Sequence, residues 1–152
     1  GLAPPEAARR ALYCLRRASG RPAATVVLQG SDVAYAFISG VLPKLKEKGV
    51  NLDVYYISSV ELFDRLCEEE RNEIFPASAA ASAMMFSGFT VGTTWRWVTS
   101  ERGREFTHYP WKHGEFLGSG PGDVCLEQAG MHGAAQWKII REFLSGGLRA
   151  VG

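Results

Sequence analysis

Two periods alternate along the chain. Short apolar runs rich in β-branched residues are followed by stretches in which apolar positions recur every three or four residues. That is the pattern of strands separated by amphipathic helices. Residues 5–18 predict a first helix: Pro4-Pro5-Glu6 is a good helix start, and Ala8, Leu12 and Leu15 lie close to one face. Ser19-Gly20-Arg21-Pro22 ends it. Residues 24–29 (A-T-V-V-L-Q) predict a buried strand, and Gly30-Ser31-Asp32 turns the chain into a second helix. There Val33, Phe37, Val41 and Leu45 form one inward stripe. Pro43 lies inside this stripe, and an interior proline costs about 3 kcal/mol. The helix therefore either kinks near Gly40 or stops and restarts at Pro43, with Gly49 as its cap.

Residues 52–57 (L-D-V-Y-Y-I) predict the next strand. Ser58-Ser59 then precedes a short helix, V-E-L-F-D-R-L, with a serine cap and Glu61 in its first turn. Residues 68–73 are highly charged and solvated, and Pro76 stops them. The second half of residues 79–86 predicts a strand. Gly88 and Gly92 mark a loop, residues 93–99 a helical segment, Gly103 a turn, and residues 104–109 a further strand. Residues 110–122 form a glycine-rich loop, followed by helices over 123–129 and 134–144 separated by Gly130. The order implies one α/β domain: a mostly parallel sheet with helices on both faces. It divides into an N-terminal helix and connection (1–23), the α/β domain proper (24–145) and a frayed tail (146–152).

Composition narrows the function classes. The 152 residues suffice for one core, and 46% hydrophobic with 22% charged residues is ordinary for a globular domain. A net charge of +1 gives no global field for nucleic acid, and no apolar run reaches the roughly 20 residues of a membrane span. Cys14, Cys67 and Cys125 show no C-x-x-C spacing, so neither a zinc knuckle nor a redox dithiol is indicated. Reduced thiols fit a cytoplasmic or organelle-matrix compartment. Arg9, Arg10, Arg16 and Arg17 in an acid-poor start fit a basic helix face, and also a transit peptide. The chain opens on Gly1 rather than Met, which reads as a trimmed, processed or partial polypeptide.

Four segments carry a family resemblance. T-V-V-L-Q-G-S-D-V, from Thr25, resembles the strand-turn-helix that opens the transketolase carboxyl-terminal domain. L-D-V-Y-Y-I-S-S-V-E-L-F, from Leu52, resembles its second strand with the following serine and Glu-Leu-Phe. E-E-R-N-E-I-F-P, from Glu69, resembles its acidic turn ending in proline, and F-L-G-S-G-P, from Phe116, its glycine-serine loop. Four such segments in order are far more specific than any one alone. The same module closes the first component of pyruvate dehydrogenase and the deoxyxylulose-phosphate synthases.

The resemblance implies a three-layer fold with a mostly parallel sheet of about five strands, one edge strand reversed. It also implies a parent enzyme using thiamine diphosphate and Mg²⁺ to transfer two-carbon ketol units between sugar phosphates. In that family this module packs on the others and supports a dimer, with few or no catalytic groups and room for a regulatory role. The implied partners are the parent's other modules and a second parent copy, not nucleic acid or membrane. A pyruvate dehydrogenase component and a free-standing regulatory module are the alternatives. Two departures stand out: relatives commonly carry an acid where this chain has Met85-Phe86-Ser87, and their second helix lacks an equivalent of Pro43.

Candidate chemistry is sparse. No G-D-G motif binds a cofactor diphosphate here, the only Gly-Asp being Gly122-Asp123. Neither catalytic, cofactor-binding nor metal residues are assigned. Gly30 and Ser31 at a strand-to-helix turn suit an anion, since free N–H groups and the helix dipole favour negative charge. The alternative is a plain cap by Ser31 or Asp32. Ser119 and Gly120 could let a ligand approach closely, or form a loop capped by Asp123. His108, His113 and His132 lack metal-ligand spacing and read as exposed structural residues. Cys125 reads as buried packing. Phe89, Trp95, Trp97 and Trp111 are the aromatic candidates for an interface.

Overall fold

In the computed structural model the described residues are 2–115 and 117–146. Four strands, β1 (Leu12–Arg16), β2 (Ala24–Gln29), β3 (Leu52–Ile57) and β4 (Ala83–Ser87), form one sheet in the order β1-β3-β2-β4. β2, β3 and β4 run parallel, and β1 lies antiparallel on the β3 edge. β2 is central and all six of its residues are buried, which explains its unbroken apolar run. Val26 faces Val54 on one side and Met84 on the other.

The strand period of two sends alternate side chains to two cores. Val26, Leu28, Val54, Met84 and Phe86 pack under helices α1 (Ser31–Gly40), α2 (Leu42–Glu47) and α8 (Gly133–Ser145). Val27, Tyr55, Ile57 and Met85 pack on the opposite face against α3 (Val60–Asp64), α5 (Ala77–Ala81) and Trp97. Helices α4 (Glu68–Ile74), α6 (Glu101–Phe106) and α7 (Gly122–Gln128) complete the three layers. No helix among the described residues is long and apolar enough to cross a membrane.

The stripe Val33, Phe37, Val41, Leu45 is buried as expected. The helix stops and restarts: Pro43 is in the first two positions of α2, where its missing N–H costs little. Val41 N–H still donates to Phe37 O and Leu45 N–H to Val41 O, so the stripe runs through. Ser59 caps α3, its Oγ accepting from Leu62 N–H at 3.2 Å. Gly49 takes a left-handed φ of +64° after α2. α1 and α8 cross where Gly40 and Gly133 meet; a Cβ on Gly40 would lie 2.6 Å from the Gly133 Cα.

Several expectations need correction. Residues 5–18 are not one helix but a 3-10 turn (Pro5–Arg10), a reversal at Ala11 with φ +68°, and strand β1. Pairing with the open edge of β3 satisfies that backbone and outweighs local helix propensity. The charged stretch 68–73 is solvated as expected and forms helix α4, which buries no side chain. In place of the helix expected over 93–99, a 3-10 turn (Val91–Thr93) is followed by further turns over 94–97. The first half of the strand expected over 104–109 is the end of α6, a helix capped by Ser100 Oγ accepting from Gly103 N–H at 3.1 Å. What survives of it is one parallel bridge, His108 to Phe86, and Pro110 ends the ladder two residues on. The sheet thus has four strands among the described residues, not five. Phe116 and, from residue 147 on, the expected tail lie outside the described residues.

Candidate functional site

The connection leaving β2 enters α1 on one face of the sheet, while β3 reaches β4 through α3 to α5 on the other. The loops after β2 and β3 therefore diverge, and in open α/β sheets ligands enter at that carboxyl-end crevice. Gly30 has φ +106°, a conformation that disfavours a side chain, and lies against Gly88. Gly88 N–H donates to Gln29 O at 2.8 Å, tying the loop after β4 to the end of β2.

Two clefts flank Gly30 and Ser31, and Phe89 borders both. The first, of about 510 Å³, lies over the ends of β2 and β3, with Gln29, Tyr56, Ser59, Glu61 and Arg96 in its walls. The second, of about 440 Å³, lies towards β4 and is more apolar, with Asp32, Leu117, Gly122, Cys125 and Met131.

The polar order of the first cleft starts from Gln29, only 7% exposed at the end of the central strand. Ser87 Oγ accepts from Phe89 N–H at 3.1 Å and donates to Gln29 Oε1 at 3.1 Å. Thr93 Oγ1 also approaches that oxygen, at 3.3 Å. Ser87, the last residue of β4, thus serves Gln29. At the rim, Arg96 clasps Asp64 with two hydrogen bonds and stacks over Trp97, 4.7 Å from its ring centroid. Ser59 Oγ donates to Glu61 Oε2 at 3.0 Å.

Of the residues singled out in the sequence, Gly30 and Ser31 line both clefts. The expected side-chain cap there is absent: Gly30 is the N-cap, and neither Ser31 nor Asp32 accepts from the helix's own donors. The glycine-serine loop meets the second cleft through Gly122, whose Cβ would lie 3.9 Å from Asp32 Oδ2. Ser119 and Gly120 are exposed and line neither cleft. Asp123 caps nothing; its Oδ1 accepts only from the neighbouring Val124 N–H among the described residues.

The aromatic candidates divide. Phe89 (51% exposed), Trp95 (55%) and Trp111 (43%) stand at the surface. Trp97 is 1% exposed, packed edge-on against Phe63 and Phe75, and so offers no face to a partner. Cys125 is only half-buried and lines the second cleft. His108 is half-buried rather than exposed, and burial pushes its imidazole down to about 4 from 6.5. Its Nδ1 lies 3.0 Å from Phe106 O, and His113 stacks edge-on to it. No three His, Cys, Asp or Glu side chains among the described residues converge to hold a metal ion.

Comparison with known proteins gives one consistent answer. No family model matches the chain. Over 128 residues it is 27% identical to the transketolase of Aquifex aeolicus, spanning 84% of this chain and 17% of that enzyme. The fold matches transketolase from Leishmania mexicana with a TM-score of 0.66 at 16% identity, covering 92% of this chain and 19% of that one. Campylobacter jejuni transketolase matches with a TM-score of 0.65 at 15% identity, covering 93% of this chain and 20% of that one. The Pichia stipitis enzyme, solved with sedoheptulose 7-phosphate, matches at 0.63 and 16% identity, covering 92% and 19%. The chain thus resembles the transketolases in sequence and shares the fold of one part of them, about a fifth of their length.

Proposed function

We propose that this chain is the carboxyl-terminal module of a transketolase-type, thiamine-diphosphate-dependent enzyme. It contributes assembly or regulation rather than catalytic groups. The observation that carries the reading is the shape of the match: nearly the whole of this chain aligns with a small share of a much longer enzyme. The ordered motifs from Thr25, Leu52, Glu69 and Phe116 support it independently. The parent then moves a two-carbon ketol unit from a ketose phosphate to an aldose phosphate. Its thiamine diphosphate and Mg²⁺ are held by other modules.

In this role the exposed Phe89, Trp95 and Trp111 are the residues suited to bury against those modules and to help hold a dimer. Aromatic side chains concentrate interface energy. Two measurements test the reading. An immunoblot of source cells with an antibody to this domain should show a band several times larger than 16.6 kDa. A band at the size of the chain would sink the parent-enzyme reading. The purified chain, supplied with thiamine diphosphate, Mg²⁺ and both sugar phosphates, should transfer no ketol unit; turnover by it alone would place catalytic groups here after all.

A further inference from the structure

We infer that Ser19 is a phosphorylation site for an arginine-directed protein kinase, and that Asn51 and Asp53 hold it shut until the connection between β1 and β2 opens. Kinases of this kind read arginines ahead of the acceptor hydroxyl with carboxylates, which the planar guanidinium meets with two parallel hydrogen bonds. An arginine stands three residues before a serine or threonine at Ser19, Thr99 and Thr107. The structure separates the three. Thr107 is buried, donates its hydroxyl proton to Gly103 O at 2.8 Å, and has Glu105 two residues before it. Thr99 is exposed, but Trp97 and Val98, between it and Arg96, are core residues, and Arg96 is itself clasped by Asp64.

Ser19 closes the run Leu15-Arg16-Arg17-Ala18-Ser19, with arginines both three and two residues before it. It is exposed and lies outside every strand and helix. Its Oγ makes no hydrogen bond among the described residues, although its backbone is held on both sides. The Arg17 side chain is 62% exposed.

A kinase takes such a stretch as an extended segment, and here the start of β3 holds it in place. Ala18 N–H donates to Asp53 Oδ1 at 2.8 Å, and Ser19 N–H to Asn51 Oδ1 at 2.9 Å. Asn51 Nδ2 donates back to Ser19 O and Arg21 O, and Arg17 to Asp53 Oδ2. These are side-chain ties on an exposed connection, which opens locally without unfolding the sheet. In the reaction the γ-phosphoryl group of ATP passes to Ser19 Oγ. The new P–O bond forms as the bond to the ADP oxygen breaks, and the hydroxyl proton goes to the kinase's catalytic carboxylate. The product brings a charge of about −1.5 to −2 to the end of β1. The inference is independent of what the parent catalyses.

The test incubates the folded 152-residue chain with MgATP and the catalytic subunit of cyclic-AMP-dependent protein kinase, and locates the phosphate by tandem mass spectrometry. The expected result is one phosphate, on Ser19, absent from Ser19→Ala. Incorporation should be about tenfold or more slower in Arg16→Lys, which keeps the charge but not the planar fork. No phosphate on Ser19, or an undiminished rate in Arg16→Lys, overturns the site.

Asn51→Ala removes three of the ties and should speed incorporation into the folded chain about tenfold. An unchanged rate overturns the clamp. Should Asn51→Ala not fold, a free peptide of residues 14–20 decides. It needs no opening and should be modified about tenfold or more faster than the folded chain, and equal rates overturn the clamp.

Discussion

Replacing Gly103 by alanine sets local helix propensity against packing. Gly103 is buried inside α6, and at an ordinary helix position alanine would stabilise by about 1 kcal/mol over glycine. A Cβ here would lie 2.0 Å from the Ala83 carbonyl oxygen, 2.7 Å from Val98 Cγ1 and 2.8 Å from Ser100 Oγ. The first of these is backbone, at the start of β4, and cannot rotate away. Relief requires α6 to lift off the sheet by about 1 Å, and overpacking of this kind costs about 1–3 kcal/mol. Ser100 Oγ is also the cap of α6, accepting from Gly103 N–H, and losing it adds about 1 kcal/mol. After the propensity gain is subtracted, the net destabilisation is about 1–3 kcal/mol. Urea unfolding should show a lower midpoint with an unchanged slope. Gly92 has open space around it, and Gly92→Ala should leave the midpoint nearly where it was. A Gly103→Ala chain as stable as the parent, or more so, would refute the packing argument.

Other perturbations follow from the same structure. Gly40→Ala drives a methyl into the Gly133 backbone and should destabilise by about 1–3 kcal/mol, separating α1 from α8, as thermal melts will show. His108 is neutral when folded and takes up a proton on unfolding. Stability is therefore full above about pH 6.5 and falls as pH drops towards about 4, by about 1–2 kcal/mol after allowing for its partial exposure. Urea midpoints across that window, flattened in His108→Gln, check this. Trp97→Ala should cost about 3–5 kcal/mol, whereas Trp95→Ala should shift the stability of this chain by no more than about 0.5 kcal/mol. Equal effects would mean the two aromatics are not divided between core and surface.

The parallel core was legible because burial on both faces leaves a direct trace. β2 is six buried residues, and β3 buries five of its six. Helix α1 was legible from its stripe, and the Ser59 cap from its spacing. β1 was not. Ala8, Leu12 and Leu15 fit a helix face, and only the unpaired edge of β3, some forty residues on, makes Leu12 and Tyr13 point to opposite cores. α6 was hidden for a similar reason: Gly103 reads as a turn until β4 demands a position without a side chain. At the candidate site, the strand followed by Gly30-Ser31-Asp32 marked the place, but Gln29 was read as the last residue of a strand. Its signal was there: a polar residue closing an otherwise apolar central strand must find partners, and it does so in Ser87 and Thr93.

The position of β2 between two strands that follow it in the chain also governs how the domain is made. Gln29 waits for Ser87, 58 residues later, and Asp53 must return to meet Arg17 and Ala18 across about 35. Long-range parallel pairing pays its loop-closure entropy before any ladder forms, so folding is slow compared with a helical bundle of this size. On the ribosome the apolar central strand emerges early and stays without its second neighbour until β4 has been synthesised. That interval is the period in which this domain is most exposed to mispairing with other chains.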